Sequence, residues 1–555
     1  MAGPGMDAKS VVKRWDSLRN KQANFRNLWE DVNHLVIPFR MDSNADFETP
    51  GERKNQRIFD GTAPWALTVA ASAIHGTMTP STVKWFSVGV DNEQVMARKE
   101  NRVWFEKARD LMFKAINKSN FSSEGNEAFL DLLAYGTSCL HIAEKDQGGI
   151  EDEFRGIKFK AYQPSTIVLS ENEDGIADAV YRRSDSTVAQ LVSKFGLGNV
   201  SPRTQKKWDT GKVDEMCRII HGTWPRHNVK ASEVTLNTKA KDLPYASAWV
   251  ELDGKHMMKD SGSFMPQYAC PRWYKASNEE YGRSPAINSM PDIRSLNRVV
   301  ELELEALGLA VHPPLLVVDR GVLGTLRMVP NGINSVRDAN SITPFQSGAR
   351  FDVANLSSEK LQAAIIKAFY IDQIQLPPAQ GTPVTATEVA TRFETMQRVL
   401  GPTFGRVQTE LMAVVLMRIF WLMARRSAFP APPEELGRMM EQSPASIDFT
   451  FDGPLARAQQ ASEVESVQRA VAILSPMQPI FPEIMDHFNA KEAGKFVLSA
   501  LRVPAEVMDS DEEVQAKQEA RAEASQQQND LESGAVVAKG LKDTTPFLEQ
   551  LNAGG

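Results

Sequence analysis

The chain is poor in cysteine. Cys139, Cys217 and Cys270 are its only three, scattered through 555 residues. An odd, dispersed set argues against a disulfide framework and for a reducing compartment. Nucleotide and hydrolase signatures are missing as well: GxxxxGKS/T, HExxH, GxSxG and CxxC do not occur, which removes the phosphate cradle, the zinc-protease helix and the nucleophile elbow. The opening MAGPGMDAKSVVKRW lacks the apolar core of a signal peptide. No apolar run reaches the ~20 residues of a spanning helix. The best, Leu411 to Ala424, is interrupted by Arg418 and reads as a buried helix, so no membrane partner is expected. An excess of positive charge is also absent: 63 basic against 70 acidic residues leave −7, so the surface as a whole does not attract nucleic acid.

What remains is ordinary globular composition, 42% hydrophobic and 24% charged, in a chain long enough for several domains. Trp15, Leu18, Phe25, Trp29, Val32 and Val36 fall on one stripe with Gln22 as its only polar step, which predicts one helix ended by Pro38. After a charged loop, Arg40 to Arg57, a helix rich in small residues is expected from Pro64 to His75, broken by Gly76 and Pro80. Small residues at helical spacing mean close packing against a neighbour. A strand follows at Trp85 to Val90, then helices over Glu93 to Asn117 and Glu124 to Tyr135. Strands are expected at Ser138 to Ala143, Ile157 to Tyr162, Thr166 to Ser170 and Ala177 to Arg182. From Cys217 to Tyr274 the pattern is β-rich, with an Asp-Gly turn in WVELDGKHMM. The fold class is therefore α+β and mainly helical.

From Ser284 the chain changes character. Ser284-Pro285 opens a long helix that Pro313-Pro314 ends. Ile293, Leu296, Val300, Leu304, Leu307 and Val311 line one face, and Val299, Leu302, Ala306 and Leu309 a second. Arg294, Arg298, Glu301 and Glu305 form a charged stripe. A helix with two apolar faces must be buried on two sides: inside a core, or wedged between neighbours in a ring. An insertion follows, with a strand at Leu315 to Asp319. Ser357 or Ser358 then caps a helix from Glu359 to Ile374, and a further helix kinks at Gly401-Pro402 and ends near Arg426. Helices are expected again at Leu455 to Leu474 and Pro482 to Leu501, before an Ala/Gln/Glu-rich tail.

Between the second and third of these helices stands IDQIQLPPAQGTPVTATEVATRFETMQ. No charged side chain occurs between Asp372 and Glu388, and Thr385 with Glu388 forms a capping box at the restart. On residues alone this is either a surface connector or a loop kept neutral for a reason. Two metal groupings carry bland readings. Cys217, His221 and His227 lack a fourth ligand and fit histidines packing around Trp224. Asp509 to Glu513 are acids complementing a helix start. No active site is evident, and no cofactor or metal is expected.

TAPWALTVAASAIHGTMTPSTVKWFSV, YGRS at Tyr281 to Ser284, DIRSLN at Asp292 to Asn297, TATEV at Thr385 to Val389 and FDGPLARAQQ at Phe451 to Gln460 occur in the order found in a known family. In them the chain resembles the portal (head-to-tail connector) proteins of short-tailed double-stranded DNA bacteriophages. The resemblance implies a portal-type subunit with wing, stem, clip and crown that assembles into a ring. The wing would be 1–283, with stem helices at 284–311 and 355–374 around a clip at 312–354. A tunnel loop at 375–384 would lead into a long kinked helix, 385–430, returning through the wing. The crown side would be 431–509 and a flexible tail 510–555.

Carried onto residues, the resemblance implies a channel loop of Gln373, Gln375, Pro377, Pro378, Gln380, Gly381, Thr382 and Thr385. It puts Arg294, Arg298, Glu301 and Glu305 along the stem lumen, and Arg320, Arg327, Asn331 and Arg337 in the clip. The implied partners are eleven further copies in a homo-dodecamer, double-stranded DNA in transit, the terminase motor, tail or adaptor proteins, and the major capsid or scaffolding protein. The implied location is the capsid portal vertex of the virion, after assembly in the host bacterial cytoplasm. A neutral loop then has a purpose: Lys and Arg hold DNA by releasing counterions, and a conduit must not grip. Twelve copies at −7 carry −84, which repels a duplex. The rival expectations are another virion part, such as a tail or internal core protein, and a nucleic-acid enzyme.

Overall fold

The computed structural model describes residues 6–45, 51, 55–145, 153–226, 229, 234, 238–311, 315–317, 338, 342–344, 351–374, 400–442, 447–451, 454–474, 476, 489–501, 503, 506–509 and 513–526. The first helical stripe is two helices, α1 (Ala8–Lys21) and α2 (Ala23–Leu35). The single helix expected there is corrected at Gln22, which is fully buried and donates from Nε2 to the carbonyls of Pro164 (3.3 Å) and Ile167 (2.7 Å). The break also divides the stripe between two cores. Trp15 and Leu18 join one, and Trp29, Val32 and Val36 join the other.

A helical layer follows: α3 (Thr62–Met78), strand β1 (Phe86–Val90), α4 (Glu93–Ala97), α5 (Lys99–Asn117) and α6 (Phe121–Tyr135). Asn92 caps α4 through the N–H groups of Gln94 and Val95. α3 buries Ala63, Ala66, Ala70 and Ala71 and lies closely against α6, the neighbour its small residues require. It runs through Gly76 rather than stopping there. α6 ends at Gly136, whose φ of 80° is open to glycine.

The sheets come next. β2 (Leu140–Glu144) and β3 (Ile157–Ala161) pair antiparallel, and β4 (Ile167–Glu171) and β5 (Ala177–Thr187) begin a second sheet. Two short helices not expected from the sequence, α7 (Val188–Phe195) and α8 (Pro202–Asp209), lead into β6 (Met216–Pro225), β7 (Tyr245–Glu251), β8 (His256–Ser263) and β9 (Tyr268–Ala269). β4 to β8 form a five-stranded antiparallel meander, while β9 completes a three-stranded sheet beside β2. The Asp253-Gly254 hairpin loop spans Leu252 to Lys255, with Lys255 at φ 45°. Strand alternation feeds different cores. Ile220 and Val168 face α1, whereas Ile219 faces α7, and Ile167 and Leu169 face the large central core.

α9 (Pro285–Asn288) and α10 (Met290–Val311) form the long helical segment. β10 (Leu315–Val317) pairs with β11 (Ile342–Pro344), and α11 (Phe351–Ala368) returns to a short α12 (Ile371–Ile374). The cap expected at Ser357 or Ser358 is corrected: α11 starts at Phe351, and Ser358 is buried inside it, donating to Glu303 Oε1 (3.1 Å). α11 and α12 are separated at Tyr370, which takes φ 59° and hydrogen-bonds Tyr274 hydroxyl to hydroxyl.

α13 (Leu400–Arg425) runs through Gly401-Pro402 and carries a π-helical turn at Gln408–Met412. It is long and apolar enough to cross a membrane by composition alone. It instead buries Val415, Leu416, Ile419, Phe420, Trp421 and Met423 in the central core. Arg418 is buried with them and donates to the Met265 carbonyl (3.2 Å); burial lowers its pKa to about 10. Beyond it lie α14 (Glu434–Gln442), β12 (Ile447–Phe451), α15 (Pro454–Leu474) and α16 (Ala490–Ala500). β12 pairs antiparallel with β1, Phe86 opposite Phe451.

Candidate assembly interface at the helical hairpin

The α10–α11 hairpin is anchored at its base by residues of two motifs. In YGRS, the Tyr281 hydroxyl accepts from Leu169 N–H (3.2 Å) and Gly282 N–H donates to Thr137 Oγ1 (2.8 Å). Ser284 Oγ donates to the Ala134 carbonyl (2.7 Å) and accepts from Ile287 N–H (2.9 Å), so one hydroxyl both caps α9 and ties it to α6. In DIRSLN, Ile293 and Leu296 are buried in the central core. Arg294 pairs with Asp31 of α2 at 2.5 Å. Asn297 accepts from Phe59 N–H (2.8 Å) and donates to the Arg57 carbonyl (2.9 Å), holding the segment before α3. At the other end of the hairpin's base, Ile365, Phe369 and Ile371 are buried in the same core.

Away from this base the hairpin exposes apolar surface. Leu302, Leu304, Leu307, Leu309 and Val311 of α10 are 45%, 52%, 51%, 48% and 63% exposed, and Leu356 of α11 is 55% exposed. At about 100° per residue, Leu302 and Leu309 share one side while Leu304, Leu307 and Val311 lie about 180° away. The stripe that begins with buried Ile293 and Leu296 thus leaves the body of the protein and continues uncovered. Among the described residues the expected burial on two sides is not met. Contiguous exposed apolar surface of this kind marks an interaction site.

The charged stripe lies between these two sets. Arg298 pairs with Glu301 at 2.7 Å, and Glu305 is exposed. Of the expected loop residues only Gln373 falls among the described residues, half-buried, with its N–H donating to the Tyr370 carbonyl (3.1 Å). Gln375, Pro377, Pro378, Gln380, Gly381, Thr382 and Thr385 lie outside them, as do Arg320, Arg327, Asn331 and Arg337. The zinc grouping does not form. Cys217 and His221 are four residues apart on β6, about 13 Å at strand rise, and His227 lies outside the described residues. His221 packs face to face on Trp249 at 4.0 Å. Trp224, expected as its neighbour, stacks on Tyr181 across the sheet.

Comparison with known proteins gives the family. The sequence model described as "Bacteriophage head to tail connecting protein" matches residues 8–508. The chain belongs to that family. Two curated relatives are a "Probable portal protein" of Bordetella phage BPP-1 and a "Portal protein" of Salmonella phage epsilon15. The first is 26% identical over 553 residues, covering 96% of this chain and 95% of the relative. The second is 23% identical over 556 residues, covering 97% and 95%. A solved structure titled "Neck of native GTA particle computed with C12 symmetry" aligns with TM-score 0.32 at 12% identity, covering 74% of this chain and 87% of that one.

This connector protein is accordingly a structural part of a phage particle and not an enzyme. Its YGRS and DIRSLN residues hold the root of the hairpin. The sequence pattern identified Leu296 as part of an apolar stripe without showing that it is internal. It gave no sign of the Asn297 clamp, whose partners, the Phe59 N–H and the Arg57 carbonyl, lie 238 and 240 positions away.

Proposed function

We propose that the chain is the portal subunit of its phage: copies join side by side into a ring whose bore carries double-stranded DNA into and out of the head. The observation that carries this reading is the pair of opposed, uncovered apolar faces on α10, which a ring of identical neighbours covers on both sides at once. The two curated portal relatives, each aligned over nearly the whole chain, support it. In this assignment α10 and α11 are the stem, and Arg294, Arg298, Glu301 and Glu305 line the lumen. The insertion 312–354 is the clip that docks the terminase and then the tail adaptor. Residues 1–283 form the wing, 431–509 the crown side, and 375–384 the loop that touches passing DNA.

A packaging assay tests the conduit role. Replacing Gln375, Gln380 and Thr382 with Ala removes no strong contact, so packaging persists. Replacing the same three with Lys lets the bore engage phosphates through counterion release, so DNA stalls and added salt relieves it. Equal, salt-independent packaging by both variants overturns the channel position of the loop.

A further inference from the structure

Glu30 and His34 stand one helical turn apart on α2, on the same face. The chain after α2 folds back so that Asp42 joins them. Asn33 holds that return, donating from Nδ2 to the Met41 carbonyl (3.0 Å) and to Ser43 Oγ (3.0 Å). Its own Oδ1 accepts from the buried Tyr135 hydroxyl (2.6 Å), which fixes the amide's orientation. Ser43 N–H donates to Glu30 Oε2 (2.6 Å), leaving Glu30 Oε1 facing His34 Nε2 at 3.4 Å. One donor atom from each of Glu30, His34 and Asp42 then lies within 4.8 Å of the others.

We propose that Glu30, His34 and Asp42 bind a divalent transition-metal ion. The donor set is one imidazole and two carboxylates. Imidazole disfavours Ca2+ and Mg2+, while the carboxylates suit Mn2+ or Zn2+, with remaining positions filled by water. Three further features fit an ion. The Ser43 N–H bond to Glu30 is an outer hydrogen bond of the kind that keeps a metal ligand oriented, and Asn33 fixes the Met41–Ser43 return that carries Asp42. Glu30, His34 and Asp42 are each only half-buried, which leaves them open to solvent and ions, and His34 also borders a cleft of about 510 Å³ with Asp31, Arg57, Phe59, Asn297 and Glu301. Two more carboxylates, Glu127 and Asp131, stand near the return and share the single guanidinium of Arg40, at 2.5 and 2.9 Å.

The position gives the ion a task. The cleft lies where Arg294 meets Asp31 and where Asn297 clamps the segment before α3. An ion bridging α2 to its return segment stiffens the platform on which α10 stands. This inference does not depend on ring formation, because all three ligands come from one chain.

The test uses the full-length protein, stripped with a chelator and dialysed. Titration with Mn2+ or Zn2+, followed by elemental analysis, is expected to give about one tightly held ion per chain. His34→Gln and Asp42→Asn are each expected to weaken binding about 10-fold or more, while circular dichroism stays unchanged. Electron spin echo modulation on the Mn2+ form is expected to show one nitrogen ligand, absent in His34→Gln. No stoichiometric ion, or binding that survives His34→Gln undiminished, overturns the proposal and leaves Glu30–His34 as a plain contact one helical turn apart. Neither result bears on the portal assignment, which rests on the apolar faces of α10 and the curated relatives.

Discussion

Gly136 and Gly282 meet backbone to backbone. A Cβ on Gly136 would lie 2.5 Å from the Gly282 carbonyl oxygen, and a Cβ on Gly282 would lie 2.1 Å from that of Gly136. No side chain shift relieves such contacts, because both partners are main chain. The crossing fixes where α6 ends relative to where α9 begins, and hence the angle at which the α10–α11 hairpin leaves the body. Gly282→Ala is expected to destabilise the fold by about 3 kcal/mol, read as a lowered midpoint in denaturant unfolding. An unchanged midpoint would mean the crossing is loose.

Position along α10 decides what a charge does. Leu296→Asp places a carboxylate in the central core and is expected to unfold the chain or leave it insoluble. Leu304→Asp and Leu307→Asp sit on half-exposed sites, so the chain folds with a normal circular dichroism spectrum but no longer assembles. Size-exclusion chromatography separates the two classes. Equal loss of folding in all three would place Leu304 and Leu307 in the same core as Leu296.

Arg272 is fully buried and chelated by Glu410, with Nε to Oε2 at 3.1 Å and Nη2 to Oε1 at 2.6 Å, while Glu171 takes Nη1. Glu410 lies in the π-helical turn of α13; such turns re-aim side chains. Glu410→Ala leaves a buried guanidinium short of one carboxylate and is expected to cost about 3 kcal/mol. Urea unfolding measures it, and a change within error would make the pair dispensable.

Acid lability is expected from His221. Its Nδ1 contacts the Tyr268 hydroxyl (2.6 Å) and its Nε2 the Ser247 hydroxyl (2.9 Å). Burial first, and then His141, Arg182 and Lys194, push its pKa well below 6.5. The unfolded chain takes up that proton near pH 6.5 while the folded chain resists it, so stability falls as pH drops below about 6.5. Asp131, raised by burial to about 6, contributes with the opposite sign, since the folded chain protonates it first. His221→Gln is therefore expected to flatten the acid limb of a stability–pH curve. An identical slope in variant and parent would contradict the assignment.

Local patterns in the sequence carried much of this fold, and the failures share a cause. The small residues of α3 and the cap of Ser284 on Ile287 N–H show in the local spacing of the chain, and both were legible, although neither named the α6 partner that each also meets. The break at Gln22 was not, because an i, i+3, i+4 pattern continues unchanged across a residue that happens to find two carbonyls 142 and 145 positions away. Pairing of Phe86 with Phe451 joins strands that no local signal connects. Ser358 looked like a cap because serine favours helix starts; its partner, Glu303, lies on another helix. At the hairpin, both apolar faces of α10 were readable from spacing alone. Which part of each face the chain covers for itself depends on where the helix leaves the core, and that is set by Tyr281, Gly282 and Asn297.

Electron microscopy of the purified full-length protein tests the central claim most directly. The account predicts closed rings with a central hole, about twelve subunits around, lost in Leu304→Asp while the chain stays folded. A stable, folded monomer at high concentration, or an open filament in place of a ring, would contradict it.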